Sequence, residues 1–303
     1  MNGESYVLIT AARNEETYIP KILQSVVSQT VLPKIWVIVD DGSTDRTGEL
    51  VMDFASRYDF IRLIRRSNSR ARVFSNKVSA INEAYDDIRD TSFDFAGFPD
   101  ADVSFDAVYF ENLLSKFRAN PRLGIAGGRV LENQSGDYVE RYGSSEECVP
   151  GAVLFFRRHC YEDIGARFIP LRHGGEDAVA NVMARQKGWE VRSYPDLHVL
   201  HHRPTGTAGR TVWRARLHQG MEEYFIGYDA LFEAGKCVRR ANEPPYILGS
   251  VLRFTGYLFS SLTRQKRIVP ADVVRYLRQE QRRRIFEGVF GRQEDGRNRK
   301  GEA

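Results

Sequence analysis

Two pairs of acidic residues stand at spacings that suit chemistry on a phosphorylated ligand. Asp100 and Asp102, in FPDADVSF, follow the apolar run FDFAGF. Carboxylates at i and i+2 near a strand end can point to one side. There Asp102 suits direct contact with a hard divalent cation, and Asp100 suits a ribose or the metal's water shell. Glu176 and Asp177, in HGGEDAVANVMARQKGWEV, stand where a glycine loop becomes a helix. A carboxylate held there is a candidate general base, although acidic residues also favour a first helical turn through the helix dipole. HVLHHRP offers His198, His201 and His202 as imidazole ligands for the same cation.

Two loops have the chemistry of a nucleotide pocket. Asp40 and Asp41, in VIVDDGSTDRT, close another apolar run. One can accept hydrogen bonds from a nucleobase or ribose while the other supports the turn; the plain alternative is a solvated Asx turn. ITAARNEE places Ala11, Ala12, Arg13, Asn14 and Glu15 after a further apolar run. Small residues admit a flat ring and polar ones can bond its edge, with a helix cap by Asn14 as the alternative. Neither G-x-G-x-x-G nor G-x-x-x-x-G-K-[ST] occurs there.

The elements that must position these residues follow from hydrophobic periodicity. YVLIT (6–10), IWVIV (35–39), IRLIR (61–65) and FDFAGF read as buried strands, with TYIPKILQSVVSQ, TGELVMDFASRY and VSAINEAYDDI as helices between them. This alternation predicts a mainly parallel sheet with helices on both faces and ligands beyond the carboxyl ends of its strands. Beyond about residue 124, GIAGGRVLE, GAVLFFRR and EVRSYP are expected strands, and EDAVANVMARQKG a helix ending at Gly188.

After residue 205 a helical extension is expected, to about 290, with 291–303 disordered. Following Pro244 and Pro245, Ile247, Val251, Phe254, Leu258 and Leu262 repeat at helical spacing, and Leu248, Leu252 and Phe259 widen the face. Arg253, Arg264, Lys266 and Arg267 lie on or beside this segment. Such a helix suits an anionic membrane surface and equally suits packing on the catalytic domain, expected over 1–205.

Composition narrows the class. With 303 residues, 42% hydrophobic and 12% aromatic, the chain has material for a sizeable core and is not a low-complexity sequence. Cys148, Cys160 and Cys237 are distant and odd in number, which predicts reduced thiols rather than a disulfide framework or zinc site. No secretory signal and no apolar run of about 20 residues are seen. The expectation is a cytoplasmic protein, with peripheral contact at the cytoplasmic face of the membrane.

In this order, ITAARNEE, VIVDDGSTDRT, NKVSAINEAY, PDAD, GAVLFFRR and GGEDAVANVMARQKGWEV resemble the family 2 glycosyltransferases over about residues 5–205. The resemblance implies the glycosyltransferase A-type fold: an α/β domain with a mainly parallel mixed sheet flanked by helices, here with a C-terminal helical extension. It implies inverting transfer from a nucleoside-diphosphate sugar, a UDP-sugar first, to a hydroxyl of a saccharide or lipid-linked acceptor. The setting would be polysaccharide, glycolipid or cell-envelope glycan synthesis, with Mg²⁺ or Mn²⁺ as cofactor.

Roles carry over onto matching positions. Ala12, Arg13 and Glu15 would line the base pocket, and Asp41, with Asp40 beside it, would contact base or ribose. Lys77 would lie near the nucleotide together with Asp100, and Asp102 would bind the metal. Gly151 and Ala152 would lie beside sugar and acceptor. Asp177 would be the base, with Glu176 next to it. His201 would be the third metal ligand, with His202 as the alternative. A clear Q-x-x-R-W motif is missing, GRTVWRARLHQG being the nearest stretch. With no multi-span region either, single or limited sugar addition is expected rather than a polymer synthase with a channel.

Two rival classes make different demands. A sugar nucleotidyltransferase would need a glycine-rich, arginine-containing loop after the first strand, and TAARNEE lacks those glycines. A non-catalytic basic module for membrane or nucleic acid is permitted by the arginines near the C-terminus. The D-x-D and Glu-Asp pairs argue against it, and no nucleic-acid partner is expected.

Overall fold

The computed structural model describes residues 4–67, 74–134, 136–140, 145–203, 211–242 and 245–298, with side chains to 287 except at Phe74. The chain divides into two compact units, Met1–Ala208 and Gly209–Ala303.

In the first unit, short apolar runs form β1 (Tyr6–Ala12), β2 (Ile35–Asp40), β3 (Ile61–Arg65) and β4 (Phe95–Pro99). Every residue of β2 and β4 is buried, as expected for strands covered on both faces. The helices between them are α1 (Ile19–Val27), α2 (Thr47–Ala55) and α3 (Phe74–Ile88). β1 pairs in parallel with β2 and β4, and β2 with β3. Their carboxyl ends therefore gather on one edge, which is where Ala12, Asp40 and the D-x-D stretch lie.

The remaining elements of this unit are β5 (Val103–Phe105), α4 (Tyr109–Ala119), β6 (Leu123–Gln134), β7 (Asp137–Glu140), β8 (Val153–Arg157), α5 (Arg158–Asp163), α6 (Glu176–Gln186) and β9 (Glu190–His201). The sheet order is β3-β2-β1-β4-β8-β6-β9-β5, with β7 on β6. β8 runs antiparallel to β4 and β6, while β6 and β9 are parallel. Tyr6, Phe95, Phe110, Phe117 and Phe155 form one aromatic cluster. Phe98, Phe156, Tyr161 and Phe168 form another.

β9 is longer than the EVRSYP strand expected from sequence. Opposite it, β6 pairs Gly128 with Tyr194 and then Arg129 with His198. Pro195, Asp196 and Leu197 thus form a bulge, a position that tolerates a residue without an N–H. Gly128 is required there, because a Cβ would lie 2.3 Å from the Leu197 carbonyl oxygen. Past the bulge the strand continues to His201, which pairs with Val103 of β5.

The second unit is helical: α7 (Val212–Ile226), α8 (Ala230–Arg239), α9 (Tyr246–Leu262) and α10 (Ala271–Asn298). α7 ends at Gly227, whose φ of 107° is costly for other residues. α7 and α9 touch backbone to backbone. A Cβ on Gly220 would lie 1.8 Å from the Arg253 carbonyl oxygen, and one on Gly256 would lie 2.1 Å from that of Leu217. The tail expected to be disordered from 291 overlaps α10 as far as Asn298; 299–303 lie outside the described residues. Among the described residues no helix is long and apolar enough to cross a membrane.

Candidate active site

The β1 and β2 loops are knitted together by their own polar groups. Asp40 Oδ1 accepts from the Ser43 backbone N–H at 2.9 Å, an Asx-type turn. Gly48 passes so close that a Cβ would lie 2.6 Å from Asp40 Oδ2. Asp40 is therefore the turn-forming member of the pair. Asp41 is buried between two guanidiniums: Arg66 Nη1 donates to Oδ1 at 2.9 Å, and Arg13 Nη1 lies 3.8 Å from Oδ2. Ala12, buried at the end of β1, accepts the Asp41 N–H on its carbonyl oxygen. Asn14 does not cap α1, whose first turn is preceded by Tyr18. It adopts φ 54° and its side chain accepts from the Thr44 N–H, tying one loop to the other. The Glu15 carboxylate accepts from Arg203 at 2.8 Å.

The ends of β4 and β9 bring two carboxylates and an imidazole together. Asp100, Asp102 and His201 each offer a ligand atom, and these atoms lie within 4.8 Å of one another. Two carboxylates and an imidazole suit Mg²⁺ or Mn²⁺. The β5–β9 pairing brings His201 Nε2 to 3.2 Å from Asp102 Oδ1, while Arg203 Nη2 donates to Oδ2 at 2.7 Å. His201 Nδ1 is buried without a hydrogen-bond partner.

Burial pushes the Asp102 carboxyl up, but the His201 hydrogen bond and the charges of His201, Arg203 and Lys77 outweigh it and hold it at about 2. Burial lowers His201, and Asp102 more than reverses this, so the net shift is upward. His202 lies outside this group of ligand atoms. Its ring contacts Tyr138 Oη at 2.5 Å, Lys21 Nζ at 3.4 Å and Ser104 Oγ at 2.9 Å. Burial, then Lys21, depresses it to about 4. His198 is exposed and outside the cluster.

The Glu-Asp pair opens α6 after Gly174 and Gly175, whose φ values of 101° and 94° turn the chain into the helix. Asp177 Oδ2 accepts from the Gly151 N–H at 2.8 Å, and a Cβ on Gly151 would lie 3.1 Å from that oxygen. Asn181, one turn on and buried, accepts from the Val149 N–H and donates to the Val149 and Asp177 carbonyl oxygens. The loop of Gly151 and Ala152 is thereby latched to the helix.

Glu176 Oε2 is buried without a partner. Burial raises its pKa, Lys77 opposes the rise and Asp177 adds to it. Lys77 hydrogen-bonds Asp100. Burial disfavours its charge, but Asp100 and Glu176 more than compensate, so the ammonium is retained.

The structure thus brings together Lys77, Asp100, Asp102, His201, Glu176 and Asp177, and separately Ala12, Arg13, Asp40 and Asp41. Arg66, Asn181 and Arg203 were not singled out from sequence. Arg203 directly follows the two histidines and Arg66 directly follows the third strand. Position next to a recognised motif was the available signal.

Comparisons with known proteins bear on the fold and the family. The sequence profile of Glycosyl transferase family 2 matches residues 7–187. The poly-β-1,6-N-acetyl-D-glucosamine synthase of Staphylococcus aureus strain COL is 30% identical over 243 residues, covering 74% of this chain and 56% of that one. That of Staphylococcus epidermidis RP62A is 30% identical over 185 residues, covering 54% and 42%. The chain spans about half the length of these curated relatives. Among solved structures, the mannosyltransferase PcManGT of Pyrobaculum calidifontis with GDP-Man and Mn²⁺ superposes with a TM-score of 0.55 at 18% identity, covering 86% of this chain and 75% of that one. Staphylococcus aureus TarS 1-349 with UDP-GlcNAc gives 0.52 at 13% identity, covering 86% and 73%. The fold is of the glycosyltransferase A type, and with the profile match extending over more than half of its residues the chain belongs to glycosyl transferase family 2.

Proposed function

We propose that the first unit transfers a sugar, with inversion, from a nucleoside-diphosphate sugar to a hydroxyl group, with Asp177 as the base. The observation that carries this reading is the meeting of Asp100, Asp102 and His201 beside Lys77 and the Glu176–Asp177 pair. A divalent cation held by Asp102 and His201, with Asp100 beside it, would neutralise charge growing on the leaving diphosphate. Arg13 and Asp41 border the nucleotide side, and Lys77 supplies positive charge where phosphates would lie. Asp177, fixed by the Gly151 N–H, keeps its second carboxylate oxygen for the acceptor's proton. Transfer in one in-line displacement inverts the anomeric carbon and needs no covalent enzyme intermediate.

A UDP-sugar is the first donor to test, since TarS is described with UDP-GlcNAc; PcManGT, described with GDP-Man and Mn²⁺, makes GDP-mannose the second. The synthases among the relatives support a saccharide acceptor and polysaccharide synthesis. The number of sugars added is read from product length. The experiment combines a thermal-shift screen of UDP-GlcNAc and GDP-mannose, with and without Mn²⁺, with identification of the released product. Nucleoside diphosphate supports transfer; pyrophosphate would instead support nucleotidyl transfer.

Peripheral contact with an anionic membrane at its cytoplasmic face is part of the same proposal. It is supported by α9, which buries Gly249, Arg253, Gly256, Tyr257 and Ser260 and leaves Ile247 70% and Leu262 81% exposed. Sedimentation with anionic vesicles, before and after Leu258→Glu and Leu262→Glu, tests it; equal binding would refute the contact.

A further inference from the structure

The short segment before β8 touches both the D-x-D stretch and the candidate base. The Ala152 carbonyl oxygen accepts from the Asp100 N–H at 3.1 Å, and the Gly151 N–H donates to Asp177 Oδ2 at 2.8 Å. Along α6, Asp177, Asn181 and Arg185 follow one another at a spacing of four, on one face of the helix. All three hold this segment, since Arg185 Nη1 donates to the Glu147 carbonyl oxygen at 3.2 Å. Asn181 holds its middle and is only 1% exposed. Its Oδ1 accepts from the Val149 N–H at 3.3 Å, and its Nδ2 donates to the Val149 carbonyl oxygen at 2.9 Å. A neighbouring antiparallel strand would make the same pair of bonds. The amide nitrogen also donates to the Asp177 carbonyl oxygen at 2.8 Å. The Val149 side chain is fully buried, and Gly127 of β6 makes room for it, because a Cβ there would lie 2.6 Å from Val149 Cγ1.

An amide carries a donor and an acceptor in one plane, so it can serve both polar groups of Val149. Aspartate lacks the donor and leucine lacks both, and a buried peptide left unpaired is costly. The peptide that Asn181 holds lies two residues before the N–H that holds Asp177. Releasing Val149 would let Gly151 shift, and the Asp177 carboxylate would then be free to rotate about its last torsion. We infer that Asn181 is a positioning residue for sugar transfer: through Val149 and Gly151 it fixes the Asp177 carboxylate so that its second oxygen faces the acceptor hydroxyl. The inference rests on reading Asp177 as the base. Asn181 itself touches no reactant.

The test uses the full chain. Pro150–Gly151 is the one Pro-Gly step in the sequence, so isotopic labelling of the proline carbonyl and the glycine nitrogen isolates the Gly151 amide in an NMR spectrum. The wild type is compared with Asn181→Ala, Asp177→Asn, the double variant and Val182→Ala, the last being a control at a buried position of the same helix. Circular dichroism confirms that each is folded, and Asn181→Ser takes the place of Asn181→Ala should alanine not fold. Turnover is read as UDP release from UDP-GlcNAc with Mn²⁺ and β-1,6-linked N-acetylglucosamine oligosaccharides, and donor affinity by calorimetry. In Asn181→Ala the Gly151 amide proton should move upfield, while in Val182→Ala it should stay. Turnover of Asn181→Ala should fall about tenfold or more, because a slightly misplaced catalytic group is that costly. Its donor affinity should stay within about twofold, and adding Asn181→Ala to Asp177→Asn should lower turnover no further. An unmoved Gly151 amide, which needs no substrate to observe, overturns the inference. So does Asn181→Ala turnover equal to that of Val182→Ala, or a further loss in the double variant. Wild-type turnover in Asp177→Asn would remove the base reading and this inference with it, whereas an inactive Asp177→Asn beside a fully active Asn181→Ala strikes the inference alone.

Discussion

Two clusters of interacting charged side chains, one in each unit, are built on opposite principles. At the strand ends of the first unit, Lys77 faces Asp100, Glu176 and Asp102, and Glu176 has a buried oxygen without a partner. Inside the second unit, Glu223 on α7 pairs with Lys236 on α8 and faces Arg253 on α9, while Glu233 accepts from Cys237. Glu233 is completely buried. Both clusters shift pKa values. Perturbed titration alone does not separate a reactive site from a structural network, and neither does an unpartnered buried atom, since Glu223 Oε2 and Glu233 Oε2 lack partners too; access and a set of ligand atoms for a cation do. The first cluster stands beyond sheet strands and offers three ligand atoms to a cation. The second is enclosed by helices that meet at Gly220 and Gly256.

Removing the cation should have the largest effect on the first cluster and none on the second. EDTA is expected to abolish sugar transfer, with Mn²⁺ or Mg²⁺ restoring it, and Asp102→Asn should eliminate metal-dependent strengthening of nucleotide binding. The readouts are turnover and calorimetric donor affinity with and without metal. Full turnover in excess chelator would remove the cation from the chemistry.

Next comes Asp177→Asn. An amide cannot take the acceptor's proton, and a general base contributes about 10²–10⁴-fold in rate. The nucleotide loops are made by other segments, so donor affinity should hold. If Asp177 only favours the first turn of α6, Asn would cost about 0.3–1 kcal/mol of stability and leave turnover near that of the wild type. Comparing turnover with donor affinity separates these outcomes.

How much of this was legible in the sequence follows the range of the interactions. Buried strands such as β2 are written in consecutive apolar residues, and the acidic pairs sit directly at their ends. The three-residue β5 is too short for a periodic signal. α4 buries Leu113, Leu114 and Phe117 among polar residues, which dilutes its periodic signal. The continuation of β9 through Pro195 depends on a bulge against Gly128, which local propensity does not encode. Choosing His201 over His202 required knowing which ring faces Asp102 and which is held by Tyr138, Lys21 and Ser104. For α9 the apolar face was legible, but the close crossing with α7 that buries its opposite side was not.

That crossing gives a stability prediction confined to the second cluster. Gly220→Ala places a methyl where the Arg253 carbonyl oxygen already lies, so α7 and α9 must part. Overpacking typically costs about 1–3 kcal/mol. Urea denaturation should show a loss of at least that size, whereas Gly235→Ala, with open space around its Cβ position, should match or exceed the wild type. Equal stability of the Gly220 and Gly235 variants would mean that the helices do not meet so closely.

The smallest effect, and the sharpest contrast, comes from Glu233→Gln. Burial first, then the neighbouring charge of Glu223, pushes the Glu233 carboxyl up to about 8, against about 4.3 for an ordinary glutamate. Between these values the folded chain keeps a proton that the unfolded chain has released. Stability therefore falls as pH rises through this window and levels off above it. Lys236 opposes the shift from α8, and Cys237 donates to Glu233 Oε1 at 3.3 Å; Gln preserves that acceptor and carries no titrating proton. The variant should melt with the wild type near pH 4.5 and above it by a margin that widens toward pH 8, at about 2–4 °C per kcal/mol. Turnover at any one pH should not change, because Glu233 touches no reactant. A margin that stays constant with pH would mean that Glu233 titrates as an ordinary carboxylate, and a fall in turnover with the fold intact would join the two clusters in one mechanism.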